Sequence, residues 1–505
     1  MIQRLINPLS LTLDQAAQLL SAEVRNSQEI SFSGVASQDS DVEDGDLFLA
    51  LPGQNAHGAK FIESAQKRGA VAVLTDVEGA DMNVTLPTLV VKNPREAGAQ
   101  LSAALYRDPT RSMQSIGITG TNGKTTVSTL LYQIFMAVGR ESGLIGTVES
   151  RIGLDRIKSV RTTPEAPELQ ALAAVMAERH VRNLVMEVSS HALELKRLVG
   201  SHFSIVGFTN LSQDHLDFHG DMDNYFRAKK KLFTFEYAEF GFINIDNHYG
   251  EILARESEIP VVELSRSKKS ATWHFEEIIS TSAGYEFTLR GRDGVLITSR
   301  TKMQGGFNLD NLLMAIAIAS ECGVDPLELE RVVPELSGAA GRLENIVLGQ
   351  QFRAIVDYAH SPDAVANVLR AVREFTTGRV IGILGCGGDR DNSKRPLMGS
   401  ALLDNSDIAI FTSDNPRSES PSEILKQMSS HLNFEKPSCI IEDRRAAINF
   451  AISLAEPGDT VLLLGKGHES GQEINGLITP FDDRIELALA IESLAIESLA
   501  IEAGR

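Results

Sequence analysis

The residue types and spacing best suited to chemistry lie in GITGTNGKTT, residues 117–126, a glycine-rich turn between an apolar run and a helix-like one. Glycines let backbone N–H groups approach phosphate oxygens without a Cβ in the way, and the N-terminus of the following helix adds partial positive charge. Lys124 can reach the outer phosphates, and the Thr125 hydroxyl is placed for a phosphate-bound Mg²⁺. The spacing departs from the usual phosphate loop, since Ile118 stands where the first glycine belongs and the glycines fall at Gly117 and Gly120.

Further reactive groups follow apolar runs. Glu187, Ser189 and His191 come after one, and Asn210, Asp214 and His215 after the next. In open α/β sheets ligands bind at the carboxyl ends of strands, so both groups are expected to face the crevice of the phosphate loop. Thr125, Glu187 and His215 could complete the shell of a hard Mg²⁺ ion already held by a nucleotide triphosphate. Three lysines in a row, residues 229–231, read by composition alone as a solvated helix face. Four further loops are polar or glycine-rich, and each follows a predicted strand: DYAHSPD (357–363), GCGGDR (385–390), DNPR (414–417) and GKGHE (465–469). Their Arg, Asp and Glu side chains suit a zwitterionic ligand, the second partner of an ATP-driven joining reaction.

These groups need three α/β units to position them. Residues 31–92 alternate short apolar runs with helical patterns in a small first domain, which Asn93-Pro94 punctuates. Strand-then-helix units recur from about residue 108 to 340, with strands at 115–119, 183–188 and 204–209. Pro334 and residues 338–341 mark a second boundary, beyond which five strand candidates (354–358, 379–384, 407–411, 438–441 and 460–464) predict a doubly wound domain. The expected organisation is 1–98, 99–340 and 341–489, with a tail at 490–505. That tail repeats AIESL, and a five-residue period advances about 140° around a helix, so its apolar stripe drifts off any one face. It is predicted to be helical at first and frayed later.

Composition narrows the function. The chain has 505 residues, with 48 Lys and Arg against 67 Asp and Glu, a net −19 that argues against nucleic acid or an anionic membrane as the main partner. Its three cysteines, Cys322, Cys386 and Cys439, form no ligand pair or disulfide framework. With no signal-like N-terminus and no run of about 18 apolar residues, a soluble cytoplasmic enzyme is expected.

At these residues the chain resembles the Mur ligases of bacterial cell-wall synthesis. The matching pieces are GTNGKTT (120–126), TTPE (162–165), MEVSSHAL (186–193), NLSQDHLDFHGD (210–221), GFNLDN (306–311), DYAH (357–360) and GCGGDR (385–390), in family order. DNPR together with GKGHE is similar to the branch that adds meso-diaminopimelate: Arg417 could clamp a distal carboxylate that lysine lacks. The resemblance implies a central P-loop-type ATPase domain, a C-terminal Rossmann-like domain and a smaller α/β N-terminal domain. It also implies acyl-phosphate chemistry, in which the D-Glu carboxylate of UDP-MurNAc-L-Ala-D-Glu is phosphorylated by ATP and then attacked by the amine. A monomer acting only on small molecules is expected.

Site residues follow from the same resemblance. ATP is assigned Gly120, Thr121, Asn122, Gly123, Lys124, Thr125, Thr126, Asn308, Asn311, Arg342, Asp357 and His360. Lys229, in DNYFRAK, matches a carbamylated lysine, which would join Thr125, Glu187 and His215 around Mg²⁺; Lys124, Glu187, His215 and Lys229 are the catalytic set. UDP-MurNAc-dipeptide is assigned Ser40, Gln54, Asn55, Ala56, Thr162, Thr163, Ser189 and Arg197, and diaminopimelate is assigned Arg390, Asp414, Asn415, Pro416, Arg417, Gly465 and Glu469. Two departures stand out: Asp41, where relatives often carry arginine, and Leu195, where a glutamine contact is expected. The competing readings are a lysine-adding sister, a folylpolyglutamate synthetase-like ligase, and a nucleotide-binding regulator without catalysis, which would have lost Lys124, Glu187, His215 or Lys229.

Overall fold

The computed structural model describes residues 4–53, 56–82, 85–281, 284–434 and 437–503, with side chains described through residue 496. In the first domain five strands run in the order Glu23–Arg25, Thr88–Val90, Ala72–Thr75, Asp46–Leu49 and Gly34–Ala36. All are parallel to their neighbours except the first. Asp46–Leu49 is buried at every position, as a parallel strand covered on both faces must be. The helix Pro94–Leu105 opens on a proline whose missing N–H is harmless there, and Leu101, Leu105 and Tyr106 complete this first core. Ala171 and Ala174 of the helix Ala166–Glu178 join the same cluster, so the first domain is seated on the second.

The second domain carries an eleven-stranded sheet. Seven strands are parallel, in the order Ser142–Ile145, Asn183–Glu187, Gln114–Thr119, Phe203–Phe208, Ala238–Asn244, Val261–Ser265 and Trp273–Thr281. Antiparallel strands extend both edges. The winding reverses at Gln114–Thr119, the first of these strands in the chain, with Asn183–Glu187 on one side and the later Phe203–Phe208 on the other. That is the switch point where an open sheet leaves a crevice for ligands. The helices Lys124–Ala137 and Gly306–Glu321 lie side by side on one face; the second is apolar nearly all round because the first helix, the sheet and the helix Pro326–Val332 enclose it.

The third domain has a six-stranded sheet in the order Glu344–Asn345, Arg353–Asp357, Thr460–Leu464, Val380–Leu384, Ile408–Phe411 and Cys439–Ile440. All five strands expected from the sequence form, parallel to one another, and a short antiparallel strand closes one edge. A hairpin, Gly471–Ile474 with Leu477–Pro480, projects beside it.

The end of the chain departs from expectation. One helix runs through Asp483–Ala503, across both copies of the repeat, because Ala, Leu, Glu and Ile are adequate helix formers and neither glycine nor proline interrupts them. The drifting stripe shows in packing instead: Leu487, Ala490 and Ile491 are buried in the third core, while Ile496 is 67% exposed. Leu487→Ala should therefore destabilise the C-terminal domain by about 2–4 kcal/mol, and Ile496→Ala by no more than about 0.5 kcal/mol, in urea titrations followed by circular dichroism.

Candidate active site

The phosphate loop leaves the strand Gln114–Thr119 and enters the helix Lys124–Ala137 through two glycines in the left-hand half of conformational space, Gly120 (φ 146°) and Gly123 (φ 89°). A Cβ on Gly123 would stand 2.3 Å from Asn311 Oδ1, so glycine is required sterically as well. Lys124 Nζ donates to the carbonyls of Gly120 and Thr121 at 2.9 and 3.0 Å, and Thr121 Oγ1 lies 3.1 Å from the Tyr225 hydroxyl. Behind the loop, Thr125 Oγ1 donates to Glu187 Oε2 at 2.9 Å. Thr147 reaches the same carboxylate twice, by its N–H at 2.7 Å and its hydroxyl at 2.9 Å.

Lys229 is the clearest surprise of the site. Lys230 and Lys231 pair with Glu256 and Glu194, as members of a solvated face do. Lys229 is 1% exposed, and its Nζ donates to the Gly120 carbonyl at 2.8 Å, with the Tyr225 ring 4.7 Å away. Burial, then the nearby Lys124 ammonium, holds the Lys229 amine well below the usual lysine range. His215 lies within electrostatic reach of both lysines, and burial holds its imidazole neutral despite Asp214 beside it. Thr125 and Glu187 thus bond behind the loop, Lys229 bonds its Gly120 carbonyl, and His215 faces the second cavity within electrostatic reach of Lys124 and Lys229. Among the described residues no three His, Cys, Asp or Glu side chains gather as a ready metal cage. The oxygen-donor pair of Thr125 and Glu187 fits Mg²⁺, which binds few protein groups and takes phosphate oxygens and water for the rest.

Two cavities open between the second and third domains. The first, about 630 Å³, is lined by Asn122, Gly123, Thr126, Asn308, Asn311, Arg342 and Asp357 of the expected ATP set. Asp246, Arg266 and Asp310 also line it; burial pushes the Asp310 carboxyl up to about 7, with Arg266 Nε 3.1 Å away opposing the shift. Asp357 accepts from the N–H groups of Leu343 and Ala359, both at 2.8 Å, while Arg342 lies over the Tyr358 ring. His360 turns the other way, into the second cavity.

That cavity, about 470 Å³, brings His191, Asp214 and His215 of the second domain to face Arg390, Asp414, Asn415, Arg417, Gly465 and Glu469 of the third. Lys394 lines it too. Asn415 Nδ2 donates to Glu469 Oε2 at 2.7 Å, and Arg417 Nη1 to the Gly388 carbonyl at 2.7 Å. Pro416 is buried behind the lining. Lys466, fully buried, ties Asn415 Oδ1 at 3.1 Å to the Gly471 carbonyl at 2.7 Å. Burial and Asp414 push the Glu469 carboxyl up, against the pull of Lys466.

The group expected around the UDP-sugar peptide is assembled in part. Thr162 Oγ1 lies 3.1 Å from Thr147 Oγ1, Thr163 donates to the Glu187 carbonyl and accepts from the Ser189 N–H, and Arg197 reaches the Thr163 carbonyl and Glu165. Ser40 is exposed on the turn Asp39–Asp41, and Ala56 is half-buried. Ser37, nearby, donates to Glu168 of the second domain at 3.2 Å. Gln54 and Asn55 lie outside the described residues. Sequence reading missed Thr147, Lys466, Asp246, Arg266 and Asp310; only Thr147, following a glycine at the end of a strand, and Lys466, between two glycines, carry a local signal.

Comparison with known proteins agrees with this geometry. Residues 29–106 match the Mur ligase family catalytic domain, 118–319 the Mur ligase middle domain and 341–467 the Mur ligase glutamate ligase domain. A Streptomyces avermitilis protein named UDP-N-acetylmuramoyl-L-alanyl-D-glutamate--2,6-diaminopimelate ligase is 46% identical over 94% of this chain and 95% of its own. The chain belongs to the Mur ligase family. A Listeria monocytogenes protein of the same name is 38% identical over 95% of this chain and 98% of its own. A solved structure of a ligase of that name aligns at 31% identity and TM-score 0.66, over 96% of this chain and 100% of the other. The Mur ligase MurF of Thermotoga maritima, solved with ADP, shares the fold at 16% identity and TM-score 0.64, over 92% of this chain and 98% of its own.

One titration is legible at the edge of the site. Burial, then Arg342 and Arg484, lowers the His468 imidazole to about 4. Because the unfolded chain takes up that proton near pH 6.5 and the fold does not, stability is fully present above that pH and falls as pH drops towards 4. The loss between pH 7 and pH 5 from this group is about 1–2 kcal/mol. His468→Gln should shallow the fall in Tm over that interval, measured by scanning calorimetry.

Proposed function

We propose that this chain joins meso-2,6-diaminopimelate to the γ-carboxylate of D-Glu in UDP-MurNAc-L-Ala-D-Glu, with ATP cleaved to ADP and phosphate. The observation that carries the reading is the second cavity, where Asp414, Asn415, Arg417 and Glu469 face the reactive end of the second domain. An amino acid with two amines and two carboxylates needs both acidic and cationic partners, and Arg417 supplies a fork that matches a distal carboxylate. Relatives of 38–46% identity carry the name of that activity.

The residues divide the work. A carboxylate is a poor electrophile until phosphorylated, so the D-Glu oxygen first attacks the γ-phosphorus of ATP and ADP leaves. Lys124 neutralises charge on the moving phosphoryl group from a helix N-terminus that adds to the same field. Thr162, Thr163, Ser189 and Arg197 hold the peptide arm beside Glu187. The neutral amine of diaminopimelate then attacks the acyl carbon, phosphate departs, and a proton leaves the new amide nitrogen. Mg²⁺, held by Thr125, Glu187, His215 and a carbamylated Lys229, would supply charge neutralisation at the phosphates. The state of Lys229 suits that modification: a neutral amine adds CO₂, giving a carbamate and releasing one proton, whereas an ammonium would repel the metal. The reaction is placed in the cytoplasm, with a monomer as the working unit.

The deciding experiment is ATP-dependent ligation with purified substrates, read by phosphate release and product mass. Meso-diaminopimelate should support turnover and L-lysine should not; equal turnover with lysine would favour the lysine-adding sister reading. Arg417→Ala should raise KM for diaminopimelate about 100-fold with a smaller change in kcat. For Lys229, ¹³C-bicarbonate should give a carbamate resonance in the parent and none in Lys229→Ala, whose kcat should fall about 100-fold or more. Full activity in that variant would remove Lys229 from the mechanism.

A further inference from the structure

Beneath the second cavity, and contributing nothing to its lining, lies a fully buried ion pair. Arg444 opens the helix Arg444–Leu454, and Asp483 opens the terminal helix Asp483–Ala503; both side chains are 0% exposed. The pair is bidentate, with Nε to Oδ1 at 2.7 Å and Nη2 to Oδ2 at 2.5 Å. The guanidinium spends two more N–H groups on backbone carbonyls, Ser413 at 3.3 Å and Leu464 at 3.0 Å.

Those carbonyls belong to the residues immediately before Asp414 and Gly465, where the two loops of the amino-acid site begin. Their strands, Ile408–Phe411 and Thr460–Leu464, are not neighbours, since Val380–Leu384 lies between them. No ladder hydrogen bond joins these two strands directly; at the cavity the loops are tied by Lys466 to Asn415 and by Asn415 to Glu469, and from below one guanidinium holds the carbonyls at which both loops begin. Spacing there is tight: a Cβ on Gly465 would meet Asp414 Oδ2 at 2.9 Å, and one on Gly385 would meet the Thr412 carbonyl at 2.6 Å. Arg444 is also within electrostatic reach of Asp414 and Glu469. Burying a guanidinium and a carboxylate is expensive, and an apolar pair of similar size would hold two helices together as well or better. What an apolar pair cannot do is bind two carbonyls at a fixed separation.

We propose that Arg444, oriented by Asp483, is a positioning residue for the amino-acid half of the reaction: it braces the bases of the Asp414–Arg417 and Gly465–Glu469 loops beneath the ties made by Lys466 and Asn415, and so tunes affinity for the incoming amino acid. The inference rests on reading the second cavity as the diaminopimelate site. Lysine in place of Arg444 keeps the charge and loses the fork.

The test is steady-state kinetics on the full chain with each of the three substrates varied in turn. Arg444→Lys and Asp483→Asn should each raise KM for meso-diaminopimelate about 10-fold, leaving KM for ATP and for UDP-MurNAc-L-Ala-D-Glu within about 2-fold. Arg445→Gln is the control. Arg445 pairs with Glu486 on the same two helices but touches neither carbonyl, so its KM values should not move. A purely structural pair would lower kcat or melting temperature and leave KM for diaminopimelate alone, which would overturn the proposal. So would loss of folded protein in both variants, since the pair would then be an element of stability. If the parent enzyme itself turned over no diaminopimelate, the reading of the cavity would fail first, and the two failures are distinguishable.

Discussion

The carboxylate of Glu187 is 1% exposed and is met by three donors, Thr125 Oγ1, the Thr147 N–H and the Thr147 hydroxyl. A buried carboxylate with fewer partners would cost several kcal/mol, so the group is tolerable only while all three are in place. That requirement shapes the surroundings. Gly146 must lack a side chain, because a Cβ there would stand 2.5 Å from Glu187 Oε1. The Glu187 carbonyl is bound in turn by Thr163, whose hydroxyl also receives the Ser189 N–H. One residue at a strand end thus joins the phosphate loop, the turn after Ser142–Ile145, the segment around Thr163 and the start of the helix Ser190–Glu194.

Charge is organised locally against a contrary whole. With a net −19, the chain would repel nucleotide, UDP-sugar and dicarboxylate alike if long-range fields governed capture. Screening at physiological ionic strength confines such fields to about 8 Å, so nearby cations decide. Arg342 lines the first cavity, with Lys124 at the start of the helix beside it, and Arg390, Lys394 and Arg417 line the second. Lys124 and Lys394 open helices, where backbone N–H groups add positive charge, and Arg390 and Arg417 stand in loops after strands.

The parts legible in the sequence were those whose chemistry is local. Glycines and a lysine within ten residues announce a phosphate loop, and polar loops after apolar runs announce strand ends, so three α/β domains and most of both cavities could be read directly. Lys229 could not be read from composition, because its neighbours Lys230 and Lys231 are ordinary surface lysines and burial comes from docking the helix Met222–Lys230 beneath the loop, through Tyr225 and Phe226. Resemblance supplied what periodicity lacked. Asp246, Arg266 and Asp310 are far apart in sequence and acquire a role only when the sheet edge and the helix Gly306–Glu321 meet. In the tail the period argument correctly identified a stripe that leaves the core but mistook that for loss of helix, which local propensity sustains.

The two cavities share a wall, and its construction decides how the half-reactions meet. Past the strand Arg353–Asp357, successive residues face opposite cavities: Asp357 and Ala359 line the first, and Tyr358 and His360 line the second. An alternation of two residues thereby divides one segment between them. The partition is anchored on both sides: Arg342 lies over the Tyr358 ring, and Asp214 of the second domain is within electrostatic reach of His360. Because one segment lines both cavities, a shift of the third domain that moved this wall would change the two of them at once.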